Sequence, residues 1–308
     1  MSNGTIDEIH PVLKAFEEIE KPLVTQEEVE GFADENDFIG LGVSLLVEAG
    51  CYVCIAANTL GKQEKWDRDT AAIGGNMARL YKMISAFLDQ TVQRRRDTSF
   101  IFARLVFETV VTIRYLIKHF SPDLVASYVK NSFKHEIKLR KKMDQNIAAR
   151  GGVILPIEDR MMRSIDRAYA RAGLSPNDLD GYRERSWGGK NLYEKADDLG
   201  MGDAYLGAFS GPSQSVHGAW GDIYSHCLKT DGDELFSPNI EWCYPRPQLI
   251  TALAHLSLFA IDDYFGFFGD SELREEVQKH LGDLATRLRA LDQGHENYLA
   301  PKEWPRMR

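Results

Sequence analysis

The segment "FIGLGVSLLVEAGCYVCIAANTL", residues 38–60, contains a single charged residue, Glu48. It has the length of a membrane-crossing helix. A carboxylate near the middle of such a span is costly, however, and no basic residues anchor its start. The alternative is a helix enclosed by protein on every side. That reading is preferred here, and it requires several further apolar helices to surround this one. No membrane contact is expected. The first residues, "MSNGTIDEIH", lack the basic-then-apolar pattern of a secretory leader, and four cysteines in 308 residues are too few for a disulfide scaffold. A reducing cytoplasm is therefore the expected location.

Apolar residues recur at helical spacing along most of the chain, and strand-like alternation is rare. Helices are predicted at 6–20, 25–35, 38–60, 67–93, 97–120, 121–150 and 157–173. Shorter pieces follow at 175–186, 191–200 and 203–209. Another helix starts at the Gly211-Pro212 pair, and the last two cover 248–269 and 271–293. The Gly74-Gly75 pair is expected to bend the 67–93 helix. Ser121 and Pro122 have the residue types of an N-cap and first helical position. Three prolines within 237–247 predict a loop. The fold class is all-α, a single irregular helical bundle with several fully buried helices. Residues 1–36 form an N-terminal helical extension, 37–296 the main domain with a candidate internal break at 150–156, and 297–308 a tail.

Polar residues in otherwise apolar helices locate the candidate site. The 97–120 helix reads as apolar nearly all round, interrupted by Arg104 and Glu108, four residues apart and so on one face. Both are expected to point inward together. There they either form a structural ion pair or belong to a functional polar site. The Gly211-Pro212 helix carries Ser213 and His217, with Trp220 and Tyr224 continuing the same stripe. His217 is either a packed core histidine or a catalytic or binding group. The two helices are expected to pack together, with His217 directed at the Arg104–Glu108 pair.

"ARLVFETVVTIRYL", followed by "YLGAFSGPSQSVHGAW", resembles a bacterial all-helical family of unknown function. That family carries an Arg-x-x-x-Glu helix and then a Tyr…Ser-x-x-x-His segment. The matching positions are Arg104 with Glu108, and Tyr205 with Ser213 and His217. The resemblance covers roughly residues 75–265 and implies no established reaction. The layout is more distantly similar to the HEPN class of small helical ribonucleases and nucleotide-binding domains, which carry an Arg-x(4–6)-His signature. "RYLIKH", Arg114 to His119, has that spacing, although His119 also suits a helix C-terminus as a favourable charge.

The remaining features narrow the function class. A net charge of −9 argues against non-specific coating of nucleic acid by the whole molecule. The basic runs "QRRRD" (93–97) and "KHEIKLRKKMD" (134–144) are either phosphate contacts or solvated faces. Cys51 and Cys54 have zinc-like spacing but lack a second ligand pair, so no metal and no cofactor are expected. His255 and Asp262, seven apart on an apolar helix, share a face and read as a structural pair or an extension of the site. Two functions follow. In the first, the chain hydrolyses RNA or a nucleotide, with His217 as acid or base, Glu108 as its partner and Arg104 as phosphate clamp. Ser213 completes that cluster, and Tyr205, Trp220, Tyr224 and Arg114 contribute binding. In the second, the chain is a non-catalytic helical interaction module whose polar cluster is structural.

Overall fold

The computed structural model describes residues 10–61, 65–179, 182–231 and 235–302. The early helices are α1 (Pro11–Glu17), α2 (Gln26–Glu30), α3 (Glu35–Asn58), α4 (Arg68–Val92) and α5 (Arg96–Lys118). Next come α6 (Pro122–Ser132), α7 (Lys134–Ala149), α8 (Pro156–Arg171) and the short α9 (Pro176–Leu179). Then follow α10 (Leu192–Asp198), α11 (Gly202–Tyr205), α12 (Gly211–Val216) and α13 (Trp220–His226). A hairpin of β1 (Leu228–Asp231) and β2 (Leu235–Pro238) precedes α14 (Pro247–Phe268) and α15 (Ser271–Leu299). The described chain is overwhelmingly helical, as its apolar spacing implies.

Four helices form a closed ring: α3 packs on α4, α4 on α5, α5 on α14, and α14 back on α3. Helix α15 lies over α3 and α14, with α1 and α2 against it. Helices α3 and α14 are the two described helices long and apolar enough to cross a membrane, and most of each apolar stretch is buried inside the bundle. Glu48 lies on the inner side of α3, its side chain fully buried. Its two oxygens each accept from the Arg287 guanidinium of α15 at 2.6 Å, and Tyr52 donates its hydroxyl at 2.7 Å. This pairing explains how one charge is tolerated in the most apolar helix: a buried carboxylate needs a matched cation and hydrogen-bond donors.

Local signals explain where several helices begin. Asp34 caps α3, accepting from Asn36 N while Asp37 reaches back to the Asp34 backbone. Ser121 caps α6, with Pro122 at its first position. Helix α4 runs without interruption through Gly74 and Gly75; Gly74 is required because a side chain there would meet the Trp66 ring at 2.3 Å. Two expectations differ from the structure. Residues 121–150 form two helices, parted at Phe133. The α7–α8 pair has its own small core of Met143, Ile165, Tyr169 and Leu179. Gly151 and Gly152, at φ 68° and 89°, form the turn between these two helices. Finally, Leu228–Asp231 pairs with Leu235–Pro238 in register, so part of the proline-rich 237–247 span is an edge strand ended by Pro238.

Candidate functional site

Helix α5 is not apolar all round. Ile101 and Glu108 are exposed, while Asp97, Arg104 and Leu105 are half-buried beside them, all on one solvent-facing stripe. Ile101 and Leu105 sit on that stripe and made it resemble core. Arg104 and Glu108 therefore do not form a buried pair, and no ion pair joins them among the described residues. Arg104 lies instead with its guanidinium 4.5 Å from the centre of the Phe209 ring. That contact gives the arginine a partner without a carboxylate.

Phe209 belongs to an irregular turn. Residues Leu206–Ser210 form a π-helical segment that joins α11 to α12, so the helix does not start at Gly211 but passes through it. Pro212 accounts for the distortion. It has no N–H to donate and its ring crowds the preceding turn, and the wider turn is closed by Gly211 N donating to the Leu206 carbonyl. Tyr205 and Phe209 stack at 5.0 Å, and both lie about 6 Å from Phe107 of α5, at 6.1 and 6.0 Å. These rings fix the segment against the bundle, and α12 packs on α5 as expected. Ser213 Oγ donates to the Phe209 carbonyl at 2.7 Å, not to histidine.

His217 is exposed and makes no side-chain hydrogen bond or ion pair among the described residues. It caps the C-terminus of α12. Gly218 follows at φ 60°, Gly218 N donates to the Ser215 carbonyl at 3.2 Å and Ala219 N to the Gln214 carbonyl at 2.9 Å. That is a Schellman closure, which ends the helix. Trp220 and Tyr224 consequently lie on a separate helix, α13, and do not continue the Ser213–His217 stripe. Arg104, Glu108, Ser213 and His217 thus share one surface region without converging on a buried point.

The other sequence candidates also separate. Arg114 Nε lies 2.6 Å from Asp263 of α14, and its Nη1 lies 3.1 Å from the Met201 sulfur. His119 Nε2 lies 2.6 Å from Asp198 of α10, whose carboxylate also meets Lys190 at 3.0 Å and Lys118 at 3.3 Å. His119 and Lys190 hold the Asp198 carboxyl well below the usual carboxylate range. His255 pairs with Asp292, and Asp262 with Arg274 and Gln278, so His255 and Asp262 do not pair with each other. Cys51 and Cys54 are half-buried free thiols on α3, and no group of three or more His, Cys, Asp or Glu residues among the described ones is arranged to hold a metal ion.

Lys195 carried no signal in the sequence, yet it is 2% exposed. Its Nζ donates to the Lys190 carbonyl and lies 4.0 Å above the Trp187 ring. Burial pulls its pKa down to about 8, although the indole face favours the cation. The pKa in the unfolded chain, near 10.5, is higher, so the unfolded state binds more protons between the two values. Stability should therefore rise with pH from about 8 to about 10.5. Lys195→Met should abolish that rise and stabilise the fold at pH 7 by on the order of 1–3 kcal/mol. Urea unfolding of both proteins at pH 7 and pH 9.5 tests this; parallel pH profiles would refute it.

A second cluster was not anticipated. Arg96, 9% exposed at the start of α5, donates to Asp97 at 2.9 Å and to Asp222 of α13 at 3.0 Å. Asp222 also accepts from Ser215 of α12 at 2.6 Å, and Arg96 N donates to the Cys243 carbonyl at 3.1 Å. One buried arginine thereby ties α5, α12, α13 and the segment around Cys243 together. Burial, with Arg96 nearby, holds the His226 pKa below its ordinary value. The "QRRRD" run hinted at this location but not at the Asp222 partner.

The family described as "Family of unknown function (DUF5677)" matches residues 70–235, which is more than half of the chain. The chain belongs to the DUF5677 family. Comparisons with curated proteins and with solved structures returned no match. The DUF5677 span begins in α4 and ends in β2, so it contains α5, the π turn, α12, α13 and the Arg96–Asp222 hub. Two of the four ring helices, α3 and α14, lie outside it.

Proposed function

We propose that this chain is a cytoplasmic, non-catalytic binding module, and that its working surface is the solvent face built by α5, the π turn, α12 and α13. One observation carries the reading: His217 and Glu108 are exposed, and neither side chain has a hydrogen-bond partner among the described residues. A general acid or base needs an orienting group and a site that limits water, and an exposed histidine without a partner has neither. A broad surface with unpaired polar groups suits contact with a macromolecule. The fully paired Glu48 inside the bundle supports α3 as a core helix in an aqueous compartment.

A second reading is favoured by a different observation. His119 does have an orienting carboxylate, Asp198 at 2.6 Å, with Lys118 and Lys190 beside it. Histidine and cations near one another are the groups that phosphodiester hydrolysis of RNA or a nucleotide requires. The two readings separate in one assay. Purified chain, His217→Ala and His119→Ala are incubated with labelled RNA and with nucleoside triphosphates. The binding-module reading expects no turnover above background in any of the three. Turnover lost in His119→Ala with unchanged thermal melting establishes the second reading, and turnover lost only in His217→Ala overturns both.

A further inference from the structure

We infer that the surface around the α4–α5 turn, α13 and the β-hairpin binds single-stranded nucleic acid by stacking bases on exposed aromatic rings beside two arginines that lie over aromatic rings and have no carboxylate partner among the described residues. The inference rests on the binding-module reading and names its ligand. Three aromatic side chains in this region face solvent: Trp220 is 63% exposed, Trp242 58% and Phe236 44%. Single exposed apolar residues are ordinary, but large aromatics gathered on one surface mark an interaction site. The gathering is fixed. Phe236 of β2 packs edge-on against Trp220 at 5.9 Å and against Tyr224 at 5.8 Å. Trp242 is tied to the same region through the backbone, because its neighbour Cys243 accepts the Arg96 backbone N–H while the Arg96 side chain holds Asp222, two residues beyond Trp220. The Arg96–Asp222 hub therefore ties together the segments that carry the two tryptophans.

The charge pattern selects the ligand class. Arg94 and Arg95, exposed in the α4–α5 turn, lie over Tyr244 at 5.0 Å and Trp242 at 6.0 Å. Arg94 is the non-glycine residue at φ 60°, a conformation that bulky side chains seldom adopt. Neither arginine is in an ion pair among the described residues. Among the described side chains, the carboxylates that contact this surface are matched: Asp97 and Asp222 by Arg96, and Glu241 by Lys229 at 2.9 Å. In a chain of net charge −9, two guanidiniums that lie over aromatic rings and have no ion pair among the described residues form a local cationic spot. Rings that accept bases, alternating with cations that accept phosphates, are the recognition chemistry of single strands. A duplex hides its base faces and cannot use the rings.

The test is fluorescence anisotropy with a fluorescein-labelled oligouridylate of about 20 nucleotides, long enough to cover the site. The full chain should bind it in the micromolar range, and a duplex of similar length about tenfold more weakly or worse. Trp220→Ala and Trp242→Ala should each weaken binding about tenfold. Arg94→Ala with Arg95→Ala should weaken it and also flatten the dependence of log affinity on log salt by about 1.4, from two lost phosphate contacts. Melting curves check that each variant is folded, and the arginine pair stands as the test if a tryptophan variant is not. No binding at about 100 µM chain, equal binding of duplex, or variants that bind like the parent would each overturn the inference. Sedimentation showing self-association abolished by Trp242→Asp would assign the patch to a second copy of this chain and overturn it as well. Absent binding without turnover leaves the binding-module reading standing, whereas binding accompanied by His119-dependent cleavage overturns that reading and leaves this surface in place.

Discussion

Arg287→Ala should cost about 3–5 kcal/mol of stability, the range for removing one member of a buried ion pair. The guanidinium contacts both Glu48 oxygens at 2.6 Å and reaches the Pro22 carbonyl at 3.3 Å and Asp283 at 2.7 Å. Without it, a fully buried carboxylate on α3 keeps, among the described residues, only the Tyr52 hydroxyl. Glu48→Gln combined with Arg287→Met removes both charges and should recover most of the loss. Guanidinium unfolding of the single and double variants measures this. A double variant as unstable as Arg287→Ala would show that packing of the arginine stem, and not the stranded charge, sets the cost.

That pair also shows which part of the fold the sequence could reveal. Glu48 identified itself as anomalous because it stands alone in an apolar helix, and the need for enclosure followed directly. Its partner could not be read, since Arg287 lies 239 positions away on an amphipathic helix where arginines are ordinary. Helix positions were legible because caps and apolar spacing are local. Asp34, Ser121 and Pro122 act within one turn of where they stand. The split at Phe133 was not legible, since a break without glycine or proline leaves no residue-level mark.

The candidate site was legible only as a region. Arg104, Glu108, Ser213 and His217 do lie on α5 and α12, which pack together. Their direction was misjudged because Ile101 and Leu105 share the solvent stripe with Glu108, so counting apolar residues could not separate inside from outside. Trp220 and Tyr224 do not continue the stripe of Ser213 and His217, because Gly218 takes a positive φ that ends α12 and sends both rings onto another helix. The Arg96–Asp222 hub joins residues 126 positions apart, and such contacts have no local signature.

Phe107→Ala should cost about 3–5 kcal/mol, with a local effect that marks how the site is held. Phe107 is fully buried on α5 and lies against Tyr205 and Phe209, the two rings that bracket the π turn. The π turn is the weak point next to it, because Pro212 deprives it of a backbone donor and a five-residue π segment has poorer hydrogen-bond geometry than an α-helix. Hydrogen exchange should therefore accelerate across Leu206–Val216 well before it does in α3, whose partners are α4, α14 and α15. Arg104 should lose its stacking partner at the same time, since Phe209 is held in place by the ring that was removed. Exchange measured by mass spectrometry under native conditions reads both elements in one experiment. Uniform acceleration over α3 and the π turn alike would mean that Phe107 supports the bundle as a whole and has no particular hold on the α12 surface.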